Sequence, residues 1–216
     1  MTQNPILKVL SMFLKHDVKM LLIGGQACII YGGAEFSRDI DFAILSSSEN
    51  LKNVKSALKD LNAKRIFFPE LSEDVLSRGH ACHFRCYDKN TKGLRIDLIG
   101  VMKGTDNFQE LWKRRKEIQI PVIGKIPVID LPDLIKSKKT QRDKDWLMIK
   151  RLIESDIYRS SDNPSREKIK FWLNECKTPE LLISFSSKYK DITLQLIKNR
   201  PLLKYAIEAN IEKVKE

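Results

Sequence analysis

The chain of 216 residues carries 39 lysine and arginine side chains against 28 aspartate and glutamate side chains, a formal net charge of +11. Hydrophobic residues make up 42% of the sequence, which is typical of a globular protein and argues against a disordered one. No apolar run approaches the ~20 residues of a membrane span, and the amphipathic first segment does not resemble a signal peptide. We therefore predict a cytoplasmic protein without a membrane partner. The basic excess favours phosphate-rich partners such as nucleotides or RNA, although an ordinary basic proteome would explain the charge equally well.

The cysteine pattern predicts the same compartment. The four cysteines follow no framework spacing, which favours a reducing cytoplasm; they are Cys28, Cys82, Cys86 and Cys176. His80 and His83 lie beside two of them and invite a zinc interpretation. In an extended strand, however, Cys82 and Cys86 are roughly 13 Å apart, whereas each ligand of one Zn²⁺ lies only ~2.0–2.3 Å from it. The two histidines could instead line a cleft and contact substrate or a carboxylate, but half-buried strand histidines are the favoured interpretation.

The first part of the chain is predicted to form a helix, a strand, a short helix and a second strand. Apolar residues at helical spacing occupy 4–15. The strand-like run 21–23 then meets Gly24-Gly25, a pair that lets backbone N–H groups approach a ligand closely. A short apolar segment and a second glycine turn lead to the strand 39–45. We expect the two strands to be neighbours in one sheet.

Two aspartates open the second strand. Asp39 and Asp41 are two residues apart, so both carboxylates point to the same face of a strand. Two like charges side by side are unfavourable unless a cation bridges them. Proteins bind Mg²⁺ through one or two carboxylates together with substrate phosphates, and a helix N-terminus such as the one expected at the glycine pair favours anions. We therefore predict a phosphate-binding element and a metal-binding pair within one short unit.

The middle of the chain is predicted to contain a crossover helix and two hairpins. Residues 49–61 have the spacing of a surface helix that returns the chain to a strand at 65–68. Residues 80–87 and 94–99 alternate around a turn and predict a hairpin. Prolines and a glycine break the stretch 118–128 into hairpin or edge strands.

The strand, glycine pair, short helix and Asp-x-Asp strand resemble the nucleotidyltransferase superfamily that includes DNA polymerase β. The matching residues are Gly24, Gly25, Asp39 and Asp41. The resemblance is closest to the bacterial AbiEii-like branch, many of whose members are toxins. It implies an α+β fold, in which a nucleotidyltransferase core with a mixed β-sheet and flanking helices is joined to a helical C-terminal region.

The resemblance also implies a third acidic residue on a later strand, and Asp97 matches it. Asp97 would join Asp39 and Asp41 in holding Mg²⁺, with two ions expected and Mn²⁺ as a substitute, and would act on the acceptor hydroxyl. The residues alone leave an alternative, in which Asp97 forms a structural ion pair with Arg95 or Arg85.

A basic stretch at 134–146 is similar to the segment that follows the catalytic core in the same family. The matching residues are Lys138, Arg142, Lys144 and Asp145. On one helix Lys138 and Arg142 would be four residues apart and share a face, so both could reach one polyphosphate, with Asp145 orienting Arg142. A solvated basic helix is the alternative interpretation.

The expected domain boundary precedes this basic stretch. The core is assigned to residues 1–130 and the helical region to 131–216, where apolar residues recur at helical spacing. Before the first aspartate the sequence departs from the family, which often has a basic residue where Glu35 stands and Thr where Ser37 stands. Ser37 can still bind a phosphate, and Arg38 can offset the charge of Glu35. The departure affects the expected nucleotide preference.

These expectations describe a Mg²⁺-dependent enzyme that moves an NMP from an NTP such as ATP to an acceptor hydroxyl. RNA or tRNA is the favoured acceptor, and an antitoxin protein is a further partner if the toxin branch applies. No nucleophile has a base at local spacing, so the chemistry is expected to be metal-assisted and without a covalent intermediate. Two alternatives remain open: a small-molecule (antibiotic) nucleotidyltransferase, and a non-catalytic nucleotide- or RNA-binding module that retains the fold.

Overall fold

A computed structural model describes residues 4–34 and 36–215 of the chain. These residues form two compact units, one of residues 4–30, 34 and 36–139 and the other of residues 31–33 and 140–215. The units divide at 139/140, whereas the sequence placed the boundary at 130/131. The difference arises because the helix Leu131–Lys138 belongs to the first unit.

The first unit contains a seven-stranded sheet. Its strands are β1 (Met20–Ile23), β2 (Asp39–Ile44), β3 (Ala63–Arg65), β4 (Cys82–Cys86), β5 (Arg95–Ile99), β6 (Lys116–Ile120) and β7 (Gly124–Val128). They lie in the order β3-β4-β5-β2-β1-β7-β6. The pairs β2/β5 and β1/β7 are parallel and the other four pairs are antiparallel. This mixed sheet with helices confirms the predicted α+β class, including the adjacent first strands and both hairpins.

Helices flank the sheet in the first unit. They are α1 (Pro5–Lys15), α2 (Gly24–Ile30), α3 (Ser48–Asp60), α4 (Glu73–Ser77), α5 (Phe108–Arg114) and α6 (Leu131–Lys138). The side chain of Asn4 accepts the Ile6 N–H and caps α1, which explains where that helix begins. Phe13 of α1 stacks on Phe42 of β2 with ring centroids 4.7 Å apart. Since α3 packs beside α1, these two helices cover one face of the sheet.

Side-chain alternation separates the two faces of β2, β4 and β5. Ile40, Phe42, Ile96 and Leu98 point to the covered face and are fully buried. The residues between them point to the opposite side, which we call the open face; on these strands it carries Asp39, Asp41, His83, Arg85, Arg95 and Asp97. All three predicted carboxylates therefore share one face of the sheet.

The second unit is helical throughout the part that the structure describes. Its helices are α7 (Asp143–Ser160), α8 (Arg166–Glu175), α9 (Pro179–Lys188), α10 (Lys190–Leu196), α11 (Leu202–Ile207) and α12 (Ile211–Lys215). The fully buried Trp172 lies in its core, where the indole N–H donates to Asp156 at 2.7 Å and the ring meets Phe185 edge-on. Burial of this large ring with a satisfied N–H anchors the helical packing.

One predicted helix is wrong. The stretch 134–146 is not continuous, because α6 ends at Lys138 and α7 begins at Asp143. The break is stabilised by Thr140, whose hydroxyl accepts the Arg142 N–H and donates to the Asp145 carboxylate. Carboxylates in the first turn also favour a helix start at this position. Lys138 and Arg142 therefore do not share a helix face.

None of the helices in the described part of the chain combines the length and apolar character needed to cross a membrane. The four cysteines are all buried, free thiols. Cys82 and Cys86 point to the covered face of β4, away from His83 on the open face. Burial raises the pKa of both thiols, so they are packing residues with little thiolate character.

Candidate active site

The glycine pair holds its neighbouring aspartate in place. Gly24 follows β1 with φ +63°, and a Cβ built there would lie 2.0 Å from Oδ2 of Asp41. This left-handed backbone favours glycine, and the close approach leaves no room for a side chain. The N–H of Gly25 donates to the same Oδ2 at 3.3 Å. In the structure this amide therefore binds the Asp41 carboxylate, and its predicted contact with phosphate stays a prediction.

Asp41 and Asp97 lie directly opposite each other on the parallel strands β2 and β5. Burial raises the pKa of Asp41, and the nearby negative charge of Asp97 raises it further. The Gly25 hydrogen bond and the positive charge of Lys138 act in the opposite direction, and Asp39 makes a small additional contribution to the increase. A bound cation would therefore offset both the cost of burying the Asp41 charge and its repulsion by Asp97.

Asp97 has cationic and polar partners on the open face. Its Oδ1 accepts a hydrogen bond from Nε of Arg95 at 2.7 Å and lies 2.8 Å from Nδ1 of His83. Arg95 Nη2 is itself 3.0 Å from that His83 nitrogen. The alternative ion pair with Arg95 is therefore present, whereas Arg85 is exposed. His83 contacts the third carboxylate, which was the less favoured alternative in the sequence analysis.

The carboxylates fit a hard cation by their chemistry but do not form a complete protein cage for one. Among residues 4–34 and 36–215, no group of three or more His, Cys, Asp or Glu side chains is arranged to hold a metal ion. Mg²⁺ needs less, since it commonly takes one or two carboxylates together with phosphate oxygens and waters. Asp41, with Asp39 on the same strand face, meets that requirement. Asp97 would add a ligand by exchanging its pairing with Arg95 for the ion.

A cavity of about 250 Å³ opens at Asp41 and Asp97, whereas Asp39 is not among its lining residues. Its polar lining residues are Gly24, Asp41, Asp97, Lys103, Ser137 and Lys138. Lys138, in the last turn of α6, lines the same cavity as Asp41, and its positive charge acts to lower the pKa of that carboxyl. Lys103 and Ser137 were not singled out in the sequence. Lys103 lies in a stretch without a recognisable motif, and Ser137 lies in the basic stretch 134–146 but is not one of the residues that match the family.

A larger cavity of about 530 Å³ lies at the opposite ends of β1 and β2, beside Lys19 and Trp112. Its most buried polar residue, Asn50, accepts the Lys19 N–H and donates to the Lys19 and Leu45 carbonyls. These contacts satisfy the amide and join the strand ends, which is a structural role. The smaller cavity, where the buried Asp41 lies beside the negative charge of Asp97, is the better candidate site.

The segment before β2 is fastened by side-chain hydrogen bonds. The Gln26 amide donates to the carbonyls of Ser37 and Asp39 at 3.2 Å each, and the Ser37 hydroxyl donates to the Asp39 carbonyl. A Cβ on Gly25 would lie 2.3 Å from the Ser37 oxygen, so the glycine makes room for this serine. Arg38 is exposed, and Glu35 lies outside the described residues. Gln26 is a positioning residue that no sequence motif marked.

The remaining predicted residues belong to the second unit. Arg142 occupies the N-cap position of α7 without a capping side-chain hydrogen bond, and its guanidinium lies 2.7 Å from the buried Asp145 carboxylate, the contact expected to orient it. Lys144 is exposed on the same helix. Their predicted role in nucleotide binding is not tested by this geometry.

Comparisons with known proteins are limited to distant structural likeness. No protein-family model and no curated protein match the sequence. A Helicobacter pylori protein assigned provisionally as a nucleotidyltransferase is 16% identical over 98% of this chain and 88% of that one, with a TM-score of 0.46. ANT(2″)-Ia in complex with adenylyl-2″-tobramycin is 11% identical over 86% and 95%, with a TM-score of 0.41. JHP933 of H. pylori is 17% identical over 99% and 90%, with a TM-score of 0.39. Likeness at this level assigns neither a family nor an activity to the chain.

Proposed function

We propose that this protein is a Mg²⁺-dependent nucleotidyltransferase that moves an NMP from an NTP to an acceptor hydroxyl. The observation that carries the proposal is the direct opposition of Asp41 and Asp97 on parallel strands, with the Gly24-Gly25 turn held against Asp41. This arrangement, with Asp39 on the same strand face, supports the resemblance to the nucleotidyltransferase superfamily. ATP is the first nucleotide to test.

In the proposed reaction the acceptor oxygen attacks the α-phosphorus of the NTP. A bond forms between these two atoms, the bond from the α-phosphorus to the β-bridging oxygen breaks, and pyrophosphate leaves. Bound Mg²⁺, with Mn²⁺ as a substitute, supplies charge neutralisation at the attacking and leaving oxygens, and two ions are expected. Asp39, Asp41 and Asp97 would hold it, and Asp97 would also accept the acceptor proton. Lys138 would bind the β- and γ-phosphates from the last turn of α6.

The remaining predicted nucleotide contacts belong to the same proposal. Ser37 would turn its hydroxyl from the Asp39 carbonyl to a phosphate, and Arg38, exposed beside it, would bring a cation to the triphosphate. Gly25 would supply its amide where Asp41 turns to a metal. Arg142, Lys144 and Asp145 are assigned to the triphosphate by the resemblance alone.

For the acceptor we propose RNA, in particular a tRNA end, and for the biological setting a toxin of the AbiEii-like kind with an antitoxin protein. The support for RNA is the net charge of +11 spread over the chain, and the support for the toxin setting is the resemblance. Four free, buried thiols agree with a cytoplasmic location. A small-molecule acceptor such as an antibiotic is the alternative within the same chemistry.

One observation favours a second candidate, a non-catalytic nucleotide- or RNA-binding module. Asp97 is paired with Arg95, and the described residues contain no complete three-ligand metal group. In such a module Arg95 would permanently replace a metal ion. Nucleotide or RNA binding would then be independent of Mg²⁺.

A binding and transfer experiment distinguishes the nucleotidyltransferase from the binding module. ATP binding is measured with Mg²⁺ and with EDTA, and each α-labelled NTP is then incubated with total cellular RNA, protein extract or aminoglycosides. The enzyme predicts Mg²⁺-dependent NTP binding and label in one acceptor fraction, both lost in Asp39→Asn/Asp41→Asn. Metal-independent binding with no labelled acceptor supports the module instead.

A further inference from the structure

Basic side chains form a row across the open face, from the edge of the sheet to the carboxylates. Lys64 of β3 is opposite Arg85 of β4, Arg85 is opposite Arg95 of β5, and Arg95 is opposite Asp39 of β2. Like charges opposite each other on a sheet are destabilising. Asp97 neutralises Arg95, whereas Lys64 and Arg85 are exposed and are not paired with a carboxylate in the described part of the chain. An anion lying across this row would offset the repulsion between its positive charges.

Exposed aromatic rings lie among these cations. Tyr87 is 46% exposed, and Nζ of Lys64 lies 5.5 Å from its ring centroid. Phe67 is 55% exposed, with the Arg95 guanidinium 5.9 Å from its centroid. Phe67 also meets His83 edge-on at 5.8 Å, one side chain away from Asp97. Large exposed rings are costly in water and often mark a binding surface, and here each is paired with a cation.

Rings interleaved with cations on an open sheet are the features that bind single-stranded nucleic acid. The cations attract the phosphates, while each ring offers a flat surface on which an unstacked base can lie. A duplex keeps its bases stacked internally and would leave the rings unused. An acidic protein partner would use the cations alone. The combination therefore favours a single strand over either alternative.

We propose that the aromatic–basic row, formed by Lys64, Phe67, Arg85, Tyr87 and Arg95, binds the end of a single-stranded RNA acceptor. The inference rests on the proposed nucleotidyl transfer, for which it names the acceptor surface. A strand that enters over β3 and β4 reaches β5 with its terminal hydroxyl beside Asp97 and Asp39. Phosphates contact Lys64 and Arg85, and terminal bases stack on the two rings.

The test uses fluorescence anisotropy of a labelled single-stranded oligoribonucleotide of mixed sequence with the full chain. Phe67→Ala/Tyr87→Ala is expected to weaken binding by about tenfold or more, as for loss of a base-stacking ring. Lys64→Gln/Arg85→Gln is expected to lower the slope of log affinity against log salt by about 1.4, or about 0.7 for each lost phosphate contact. Since all four side chains are exposed, circular dichroism should show unchanged folding.

The matched control is Lys52→Gln/Lys55→Gln, which removes the same charge from exposed positions of α3. It should leave both the affinity and the salt slope near the wild-type values. Equal losses of RNA affinity in this control and in Lys64→Gln/Arg85→Gln would overturn the inference, because binding would then follow net charge. Equal loss of polyglutamate and RNA binding in the charge variant, with no effect of removing the rings, would overturn it in favour of an acidic protein partner.

The experiment also separates this inference from the function on which it rests. If wild-type protein labels RNA and the row variants bind and label it normally, the acceptor surface is wrong and the transferase stands. If the protein labels no acceptor while the row variants lose RNA binding, the proposed nucleotidyltransferase function is wrong. The row is then the RNA surface of a binding module, and its role as an acceptor site is wrong.

Discussion

Asp41 and Asp97 face each other across two parallel strands, and the charge of Asp97 helps to raise the pKa of Asp41. A carboxylate that is difficult to ionise reduces folding stability wherever it is charged. Metal sites commonly hold such groups, because a bound cation restores the lost free energy.

Asp41→Asn should stabilise the metal-free protein at neutral pH. Because the folded-state pKa of Asp41 lies above the ordinary pKa of an aspartate, the folded chain binds more protons than the unfolded chain in the pH window between those two values. Stability therefore falls as pH rises through that window, and the amide removes this loss. Urea unfolding in EDTA should show a gain at pH 7 that disappears below the unfolded pKa.

Asp162→Asn is the control, because Asp162 is exposed in the second unit. It should change stability little at either pH. Added Mg²⁺ should raise the melting temperature of wild type and of this control but not of Asp41→Asn. A loss of folding in Asp41→Asn would contradict the account, since the carboxylate would then be structural.

Gly24→Ala should be strongly destabilising. The backbone at Gly24 has φ +63°, and the new Cβ would overlap Asp41. We expect a loss of about 3 kcal/mol in the free energy of unfolding, from backbone strain and displacement of the carboxylate. Gly93→Ala is the matched control, because its φ is +87° and no atom lies within 4 Å of the added Cβ. It should cost only about 1 kcal/mol, and similar losses in the two variants would show that the contact with Asp41 is unimportant.

Arg95→Gln should tighten Mg²⁺ binding. The guanidinium pairs with Asp97 at 2.7 Å and competes with a metal ion for that carboxylate. Its removal should increase Mg²⁺ affinity by about 3- to 10-fold, equivalent to roughly 1 kcal/mol. Isothermal titration calorimetry would measure this, with Arg85→Gln as a control for loss of a nearby charge. Weaker or unchanged Mg²⁺ binding in Arg95→Gln alone would indicate that Asp97 is not a ligand.

Arg114→Met should destabilise the first unit. Asp133 is 1% exposed and accepts from Arg114 Nε at 2.8 Å, with Lys136 as a second partner at 3.2 Å. Removing one partner of a buried charge costs about 2 to 4 kcal/mol. Lys113→Met, on the same helix, removes an exposed pair with Glu110 and should cost less than about 1 kcal/mol. Thermal unfolding should rank the two variants in this order, and the reverse order would contradict it.

The sequence predicted the strands and the faces of their acidic residues wherever the local residue pattern decides the structure. Alternation placed Asp39, Asp41 and Asp97 on strand faces, and their meeting follows from the pairing of β2 with β5, which no local pattern specifies. The continuous helix through Lys138 and Arg142 was wrong, because basic periodicity does not reveal the Thr140 contacts that end it. Gln26 was missed, and the contact of His83 with a carboxylate was only the less favoured alternative, because both contacts cross between elements.

The central claim is that the carboxylates on β2 and β5 transfer a nucleotide. The most direct measurement compares α-labelled and γ-labelled ATP, then the other NTPs, in parallel reactions with Mg²⁺ and total RNA. The account predicts that α-label enters RNA while γ-label leaves as pyrophosphate, and that Asp39→Asn/Asp41→Asn abolishes both. Metal-independent RNA binding with no label transfer from any NTP to RNA, protein or small molecule would contradict it.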